Sequence, residues 1–182
     1  METIQLKEFI KTGSFGVITI ASTKDNILRY LGNPSDSHDE GETQTIRYGQ
    51  YEFSYWTTSQ SVFGIQNDHL QADCTNHRDQ IVFKNKLWEL DNWFLRENTN
   101  ATWGQVSGFL KNENIPFEIE PSQEDGLLLV KCTKSKVTFD FVSEFRIPNI
   151  DDTGGLRGWI ENKENKIENF VLNGIRLYDL NR

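Results

Sequence analysis

The sequence lacks the long apolar runs and the basic stripes that mark several common protein classes. No stretch of its 182 residues approaches the roughly 20 apolar residues of a membrane span, and no basic segment followed by an apolar one resembles a secretory signal. Its 19 Lys and Arg residues are outnumbered by 27 Asp and Glu residues, which gives a net charge of −8. We therefore expect a cytoplasmic protein that binds neither a membrane nor nucleic acid.

Cysteine is scarce, because the chain holds only Cys74 and Cys132. The two lie far apart in sequence, and a reducing compartment would keep both as thiols, so no disulfide framework is expected. General disorder is excluded as well, since 12 Phe, five Trp and five Tyr provide material for a core. A chain of this length is sufficient for one domain or for two small ones.

A pattern of one capped helix followed by antiparallel strands occurs twice along the chain. In each copy a capping residue, Ser22 or Thr23 in the first and Thr102 in the second, precedes apolar residues at helical spacing, and a strand with an aromatic centre follows. The paired positions, first copy then second, are Thr23 and Thr102, Ile27 and Val106, Leu31 and Leu110, and Phe53 and Phe139. We predict an α+β fold of two tandem helix-plus-antiparallel-sheet units related by pseudo-symmetry. The units would span residues 1–80 and 81–182, as two repeats or as one continuous domain.

Local patterns predict the elements within these units. Gly49 and Gln50 are typical of a two-residue hairpin turn, and alternation then puts Tyr51, Phe53 and Tyr55 on the core face. Other predicted elements are a helix over residues 4–11, a strand over 17–20, an acidic loop over 35–43 and a helix through Leu87, Leu90 and Phe94. We also expect the six paired apolar residues, from Ile27 to Phe139, to be buried.

Three motifs of the first copy carry a resemblance to a known group of proteins. They are Ser14-Phe15-Gly16-Val17-Ile18, the helix from Thr23 to Leu31 with Gly32-Asn33-Pro34 after it, and Tyr48-Gly49-Gln50-Tyr51-Glu52-Phe53. In these motifs the chain is similar to small bacterial cytosolic proteins of the polymorphic-toxin immunity type. The tandem unit also resembles the architecture of the β-lactamase inhibitory proteins, although those are secreted and disulfide-bonded. The second copy departs from the pattern, with Asn114-Ile115-Pro116 where the first has Gly-x-Pro.

One segment combines several residue types that can bind a metal ion. Its candidate ligands are Asp68, His69, Asp73, Cys74 and His77. Zinc accepts such ligands, but a structural site needs four strong ones, and the chain contains no Cys-x-x-Cys pair. A polar connecting loop is the alternative interpretation. We therefore predict no metal and no cofactor, and keep as the alternative function a small metal-binding protein or enzyme centred on His69, Cys74 and His77.

The sequence contains no recognisable catalytic motif. No serine or cysteine lies in a Gly-x-Ser-x-Gly elbow, and Gly154-Gly155 lacks the lysine and helix of a phosphate-binding loop. Cys132 follows an apolar strand, where a buried structural thiol is the common outcome. We therefore predict a protein that is not an enzyme and acts by binding another protein.

Two surfaces are candidates for that binding. Alternation puts Glu52 and Trp56 opposite the core row of the first copy and Asp140 on the equivalent face of the second copy, where an open sheet would meet water. The second candidate is the acidic loop, with Asp36, Asp39, Glu40 and Glu42. Because both are acidic, the expected partner is a basic protein, such as the toxin domain that the resemblance implies, neutralised by one bound copy of this chain.

Overall fold

The computed structural model describes residues 1–68, 70, 83–95, 101–122, 126–143, 146–150, 156–161 and 166–179, with the backbone alone for 146–150 and 156–161. Three α-helices lie in these residues: α1 (Leu6–Thr12), α2 (Lys24–Leu31) and α3 (Trp103–Asn112). The strands are β1 (Glu2–Gln5), β2 (Asp36–Asp39), β3 (Thr43–Tyr48), β4 (Tyr51–Trp56), β5 (Val62–Asn67), β6 (Trp88–Asp91), β7 (Phe117–Glu120), β8 (Leu127–Cys132), β9 (Thr138–Val142), β10 (Arg146–Ile150), β11 (Leu156–Glu161) and β12 (Val171–Tyr178).

An eight-stranded antiparallel sheet dominates the fold, in the order β2-β3-β4-β5-β12-β9-β8-β7. We call β2 to β5 the first half of the sheet, and β12 with β9, β8 and β7 the second half. Two smaller pairings accompany it: β1 with β6 in parallel, and β10 with β11 in antiparallel. The predicted α+β class is confirmed, as a large antiparallel sheet with helices.

Helices α2 and α3 begin in the same way. The Thr23 hydroxyl accepts a hydrogen bond from the Asn26 backbone N–H, and the Asn26 side chain accepts one from the Thr23 N–H. Thr102 and Gln105 make the same reciprocal pair at the start of α3. Each of these reciprocal pairs is a capping box, and it satisfies two backbone N–H groups that otherwise lack a hydrogen-bond acceptor at the start of a helix. Both predicted N-caps are therefore confirmed.

The core lies between the helices and one face of the sheet. Phe15, just after α1, packs its ring on Phe53 of β4 with centroids 5.3 Å apart, and Trp103 of α3 packs on Phe141 of β9 at 5.4 Å. The six paired apolar residues are all buried, as predicted. The predicted hairpin turn at Gly49 is confirmed as well, since β3 and β4 flank it and its φ is +63°. Gly49 suits this position because a left-handed φ costs it little.

Three local predictions are wrong, each because a backbone pairing that residue spacing does not reveal decides the conformation. Residues 17–20 form no strand: Phe15 and Ile18 exchange backbone hydrogen bonds across a tight turn instead. The acidic segment is not a loop throughout, since Asp36–Asp39 pairs with β3 as an edge strand. Residues Trp88–Asp91 form a strand beside β1, where the predicted helical spacing gives way to alternation, with Trp88 and Leu90 buried.

The two halves of the sheet meet along β5 and β12, with Gln66 directly opposite Arg176. The same antiparallel register continues for one residue on either side of this pair. Ile65 of β5 faces Leu177 while Asn67 faces Ile175. Next to the centre, β4 pairs with β5 through Phe53 opposite Ile65, and β9 pairs with β12 through Phe139 opposite Ile175. The residues on each strand of the first half thus have register counterparts in the second half.

Candidate functional site

A row of mostly polar side chains crosses the sheet on the face opposite the helices, at one register level. In order across the eight strands it consists of Asp36, Arg47, Glu52, Gln66, Arg176, Thr138, Lys131 and Glu118. Side chains of opposite residues on neighbouring strands approach closely, so members of this polar row can bond to each other. The polar row contains one of the predicted binding residues at its centre, Glu52, and another at its edge, Asp36.

Glu52 is held inside the polar row and does not lie on an open surface. One carboxylate oxygen pairs with the Arg47 guanidinium, and the other accepts a hydrogen bond from the Gln66 amide at 2.6 Å. These long neighbouring side chains leave Glu52 only 8 % exposed. The expected exposure of Glu52 is therefore wrong, because cross-strand partners cover the carboxylate; its role in binding stays a prediction.

Asp140 is covered in a similar way in the second half. Its carboxylate lies 3.4 Å from the Arg176 guanidinium and accepts a hydrogen bond from the Asn173 amide. Asp140 is 4 % exposed, because Gly174 opposite it has no side chain and lets Arg176 fold over the carboxylate. The expected exposure of Asp140 is wrong for this reason, and its role in binding also stays a prediction.

Trp56 differs from these carboxylates because it is half-buried and packs on other aromatic rings. Its ring lies 4.4 Å from the Phe63 ring, tilted by 31°, and Phe63 in turn lies 6.4 Å from Tyr178. The three rings come from β4, β5 and β12. Partial burial raises the pKa of Tyr178 to about 12, and its hydroxyl donates a hydrogen bond to the Gln66 side-chain oxygen. Together the rings form an aromatic band at one end of the sheet.

An open cleft of about 680 Å³ adjoins this band, and we call it the Trp56 cleft. It is lined by Ile20 and Ala21, by Gly41 and Glu42 of the β2–β3 turn, by residues 56–59 and 61–63 around the β4–β5 turn, and by Asp179. The turns are tied together, since the Thr57 hydroxyl donates to the Gly41 carbonyl at 2.6 Å and the Thr57 N–H to the Glu42 carbonyl at 3.0 Å. Trp56 and Glu42, predicted on two alternative surfaces, thus line one cleft.

The remaining acidic residues extend from that cleft along the edge strand β2. Asp36, Asp39 and Glu40 are all exposed. Asp39 accepts hydrogen bonds from the Gln44 amide at 2.6 Å and the Gly41 N–H at 2.8 Å, which fix the turn. Charged side chains on an edge strand oppose pairing with another sheet edge. Protection of the sheet edge therefore accounts for these charges without any partner, and their role in binding stays a prediction.

A second cleft, which the sequence analysis did not predict, lies beyond Asp179 and has a volume of about 630 Å³. We call it the Lys136 cleft. Its charged and polar walls include Lys131 of β8, Lys136, Thr138 of β9 and Arg176 of β12. It shares Ile20 and Asp179 with the Trp56 cleft, so the two clefts are neighbours along one end of the sheet. The sequence contained a signal for this cleft. When the two copies are aligned, the acidic Glu52 of the first copy corresponds to the neutral Thr138 of the second.

The candidate metal ligands His69, Asp73, Cys74 and His77 lie outside the described residues. Within the described part of the chain, no three His, Cys, Asp or Glu side chains come together as a metal site would need. Cys132 is buried, and burial raises the pKa of its thiol to about 11, so its thiolate is scarce at neutral pH. None of the helices within the described residues has the length and apolar character needed to cross a membrane.

Comparison of the chain with protein-family models, with curated proteins and with solved structures found no match. Functional argument therefore depends on the two clefts and on the contacts that surround them.

Proposed function

We propose that this chain is a protein-binding module without catalytic activity, and that its partner binds at the Trp56 cleft and the acidic edge beside it. The observation that carries this proposal is that Trp56 and Glu42 line one open cleft. Half-buried tryptophans in such positions often supply much of the binding energy of an interface, while surrounding polar groups set orientation. The hydroxyls of Thr57, Thr58 and Ser59 provide those groups.

The charge of this region favours a basic partner. Asp36, Asp39, Glu40 and Glu42 are exposed within seven residues of one another, on a protein of net charge −8. Such a patch attracts a cationic surface over distances of about a Debye length, roughly 8 Å at physiological salt, and speeds association. Glu52 and Asp140 are less suited to this role, since intramolecular cations already hold their carboxylates.

We further propose that the chain consists of two tandem helix-plus-antiparallel-sheet units related by pseudo-symmetry. Support comes from features that recur in both units. Thr23 at the start of α2 bridges Ser61 before β5, and Thr102 at the start of α3 bridges Val171 at the start of β12. The parallel pair β1–β6 matches residues 86 positions apart, as Ile4 with Leu90, and Phe53 and Phe139 have the same spacing.

Within this architecture the specific function we propose is that of an immunity-type inhibitor, which neutralises a toxin in the bacterial cytoplasm by covering it. Inhibition by coverage needs only a complementary surface of about 800 Å² on each partner and no chemistry. The Trp56 cleft and the acidic edge form a contiguous surface at one end of the sheet.

The experiment is co-expression of this chain with toxin-like proteins encoded beside its gene, scored by cell survival. We expect protection by the wild-type chain and its loss on Trp56→Ala, with partial loss when Asp36→Asn, Asp39→Asn and Glu40→Gln are combined. Tyr30→Ala is the matched control, because Tyr30 is an aromatic residue of α2 that is 45 % exposed and remote from both clefts. Full protection by a folded Trp56→Ala protein would move the interface away from the Trp56 cleft. Absence of any toxin-like neighbour would argue against the immunity role itself.

A further inference from the structure

The two halves of the polar row differ in charge at two equivalent positions, where Glu52 and Gln66 of the first half correspond to Thr138 and Arg176 of the second. In the first half Glu52 lies between Arg47 and Gln66, and its carboxylate bonds to both. The second half has cationic residues on both flanks, Lys131 and Arg176, but the residue between them is Thr138. The register is the same in both halves, so Thr138 stands where the first half has its carboxylate. The second half therefore has two flanking cations without the anion that would lie between them.

The space in front of Thr138 is the Lys136 cleft. Lys131, Thr138 and Arg176 all line it, together with Lys136 from the β8–β9 turn. Lys136 is exposed and holds a left-handed φ of +65°, which is unfavourable for a residue with a side chain. Three cationic side chains from β8, the β8–β9 turn and β12 thus border one cavity of a protein that is acidic elsewhere.

The two cations that flank Thr138 pair with carboxylates outside the polar row and not with a carboxylate between them. The Lys131 ammonium bonds to Glu120 of the edge strand at 2.9 Å. Arg176 pairs with Asp140 on the other side, and its buried Nε has no hydrogen-bond partner among the described residues. A buried donor without a partner is costly, and a turn of the Arg176 side chain from its place over Gly174 toward an oxyanion in the cleft would relieve that cost. Asp179, which also lines the cleft, opposes anion binding and sets an upper limit on its strength.

We propose that the Lys136 cleft binds a small organic acid, with the ligand carboxylate over Thr138 between Lys131 and Arg176. The Thr138 hydroxyl, which donates to the Lys136 carbonyl at 3.5 Å in this structure, turns to donate to the carboxylate, and Lys136 adds a further charge from the turn. Apolar parts of Ile20, Leu177 and Tyr178 line the same cleft and would receive the carbon skeleton. A volume of about 630 Å³ is in the range of small-molecule sites. This site is independent of the proposed protein partner.

The first test titrates the protein with sodium phenylacetate and follows the Arg176 Nε–H signal by NMR. Sodium acetate tests the carboxylate alone, and benzyl alcohol tests the ring alone. Sodium chloride at equal ionic strength is the control for screening. We expect the signal to move to saturation with both carboxylates, more tightly with phenylacetate, and not with chloride. Equal movement with chloride would overturn the proposal, since that result means screening and no site.

The second test exchanges the distinguishing residue between the halves. Thr138→Glu supplies the missing carboxylate from the chain, so phenylacetate should bind about tenfold more weakly or not at all. Thr138→Gln introduces a neutral side chain of the same size as that of Glu. This variant should keep phenylacetate binding, so it controls for steric filling of the cleft. Glu52→Thr should make the Arg47 Nε–H signal respond to acetate, while the wild-type protein, with Glu52 in place, should show no response at Arg47. Unchanged phenylacetate binding by a folded Thr138→Glu protein would overturn the proposal.

Discussion

The first half of the sheet completes its polar row with its own carboxylate, whereas the second half leaves the same position to a threonine. Glu52 joins Arg47 to Gln66, while Thr138 separates Lys131 from Arg176. The backbone register is shared, so the difference lies in the side chains alone. One scaffold can therefore carry a closed, structural arrangement in one half and an open, ligand-accessible arrangement in the other.

The cores of the two halves differ in a related way. The first half buries Tyr48, Tyr51 and Tyr55 against its helices. The Tyr48 hydroxyl donates to the Gly32 carbonyl at 2.6 Å, and the Tyr55 hydroxyl donates to the Gln44 amide oxygen at 2.7 Å. Register counterparts in the second half are Cys132, Val137 and Phe141, which offer no phenolic hydroxyl. Two hydroxyls of the first half thus fix neighbouring segments, while the second half depends on apolar packing.

The largest expected effect tests whether both cores are equally closed. Phe53 and Phe139 are each fully buried, so Phe53→Ala and Phe139→Ala should each lower the free energy of unfolding by about 3–5 kcal/mol. Chemical denaturation followed by fluorescence measures both. A cost below about 1 kcal/mol at one site would mean that the surrounding residues collapse there, and the two cores would then not be equivalent.

A smaller effect concerns the two central glycines. A Cβ on Gly64 would lie 2.4 Å from the Tyr178 ring, and one on Gly174 would lie 2.7 Å from the Asp140 carboxylate. Gly64→Ala and Gly174→Ala should therefore each destabilise the protein by about 1–3 kcal/mol through crowding. Gly108→Ala is the matched control: nothing lies within 4 Å of a Cβ there, so this change in α3 should stabilise by about 0.5–1 kcal/mol. Thermal or chemical unfolding of all three variants would rank them, and a neutral Gly174→Ala would contradict the close packing over Asp140.

The phenols make the fold sensitive to alkaline pH. Burial raises the pKa of Tyr178 from 10.0 to about 12 and moves the pKa of Tyr48 and Tyr51 further in the same direction. Because the folded state holds these protons more tightly, their contribution is complete below pH 10. The part from Tyr178 is lost as the pH rises through 12, and the parts from Tyr48 and Tyr51 are lost at still higher pH. Tyr178→Phe should show a smaller loss of stability between pH 10 and 12 than the wild type. Denaturation midpoints across this range provide the measurement, and identical slopes would contradict the assignment.

The smallest expected effect is on the acidic edge of the first half. Asp36 and Glu40 are exposed on or beside β2, so Asp36→Asn and Glu40→Gln should each change the free energy of unfolding by less than about 0.5 kcal/mol. Loss of edge charge should instead promote association at high protein concentration. Light scattering tests this, and an association state that both changes leave unaltered would contradict a role of these charges in protecting the sheet edge.

Short-range signals in the sequence predicted the elements that depend on neighbouring residues. The caps at Thr23 and Thr102, the turn at Gly49 and the six buried apolar residues all follow from local spacing. The strand at Trp88 escaped prediction, because Trp88 and Leu90 fit a helical spacing as well as an alternating one, and only the distant β1 decides between them. Edge strand β2 escaped for the same reason, since its partner β3 supplies the order that its polar residues do not.

The candidate site was predicted in part. Alternation correctly assigned Glu52 and Trp56 to the face opposite the core, and the acidic segment was identified as a candidate surface. The burial of Glu52 could not be read from its own strand, because the covering residues Arg47 and Gln66 lie on other strands. Likewise, the convergence of Trp56 with Glu42 depends on how two turns pack together.

The central claim is that two equivalent halves meet with Gln66 opposite Arg176. Directly opposite residues of antiparallel strands have Cα atoms about 4.5–5.5 Å apart, within the range that a disulfide can bridge. In a protein with Cys74→Ser and Cys132→Ala, the pair Gln66→Cys and Arg176→Cys should oxidise to one intramolecular disulfide while the fold is retained. The pair Gln66→Cys with Leu177→Cys should stay reduced, because one residue of slip turns the second side chain to the other face. A disulfide in the slipped pair and none in the opposed pair would contradict the register on which the comparison of the two halves depends.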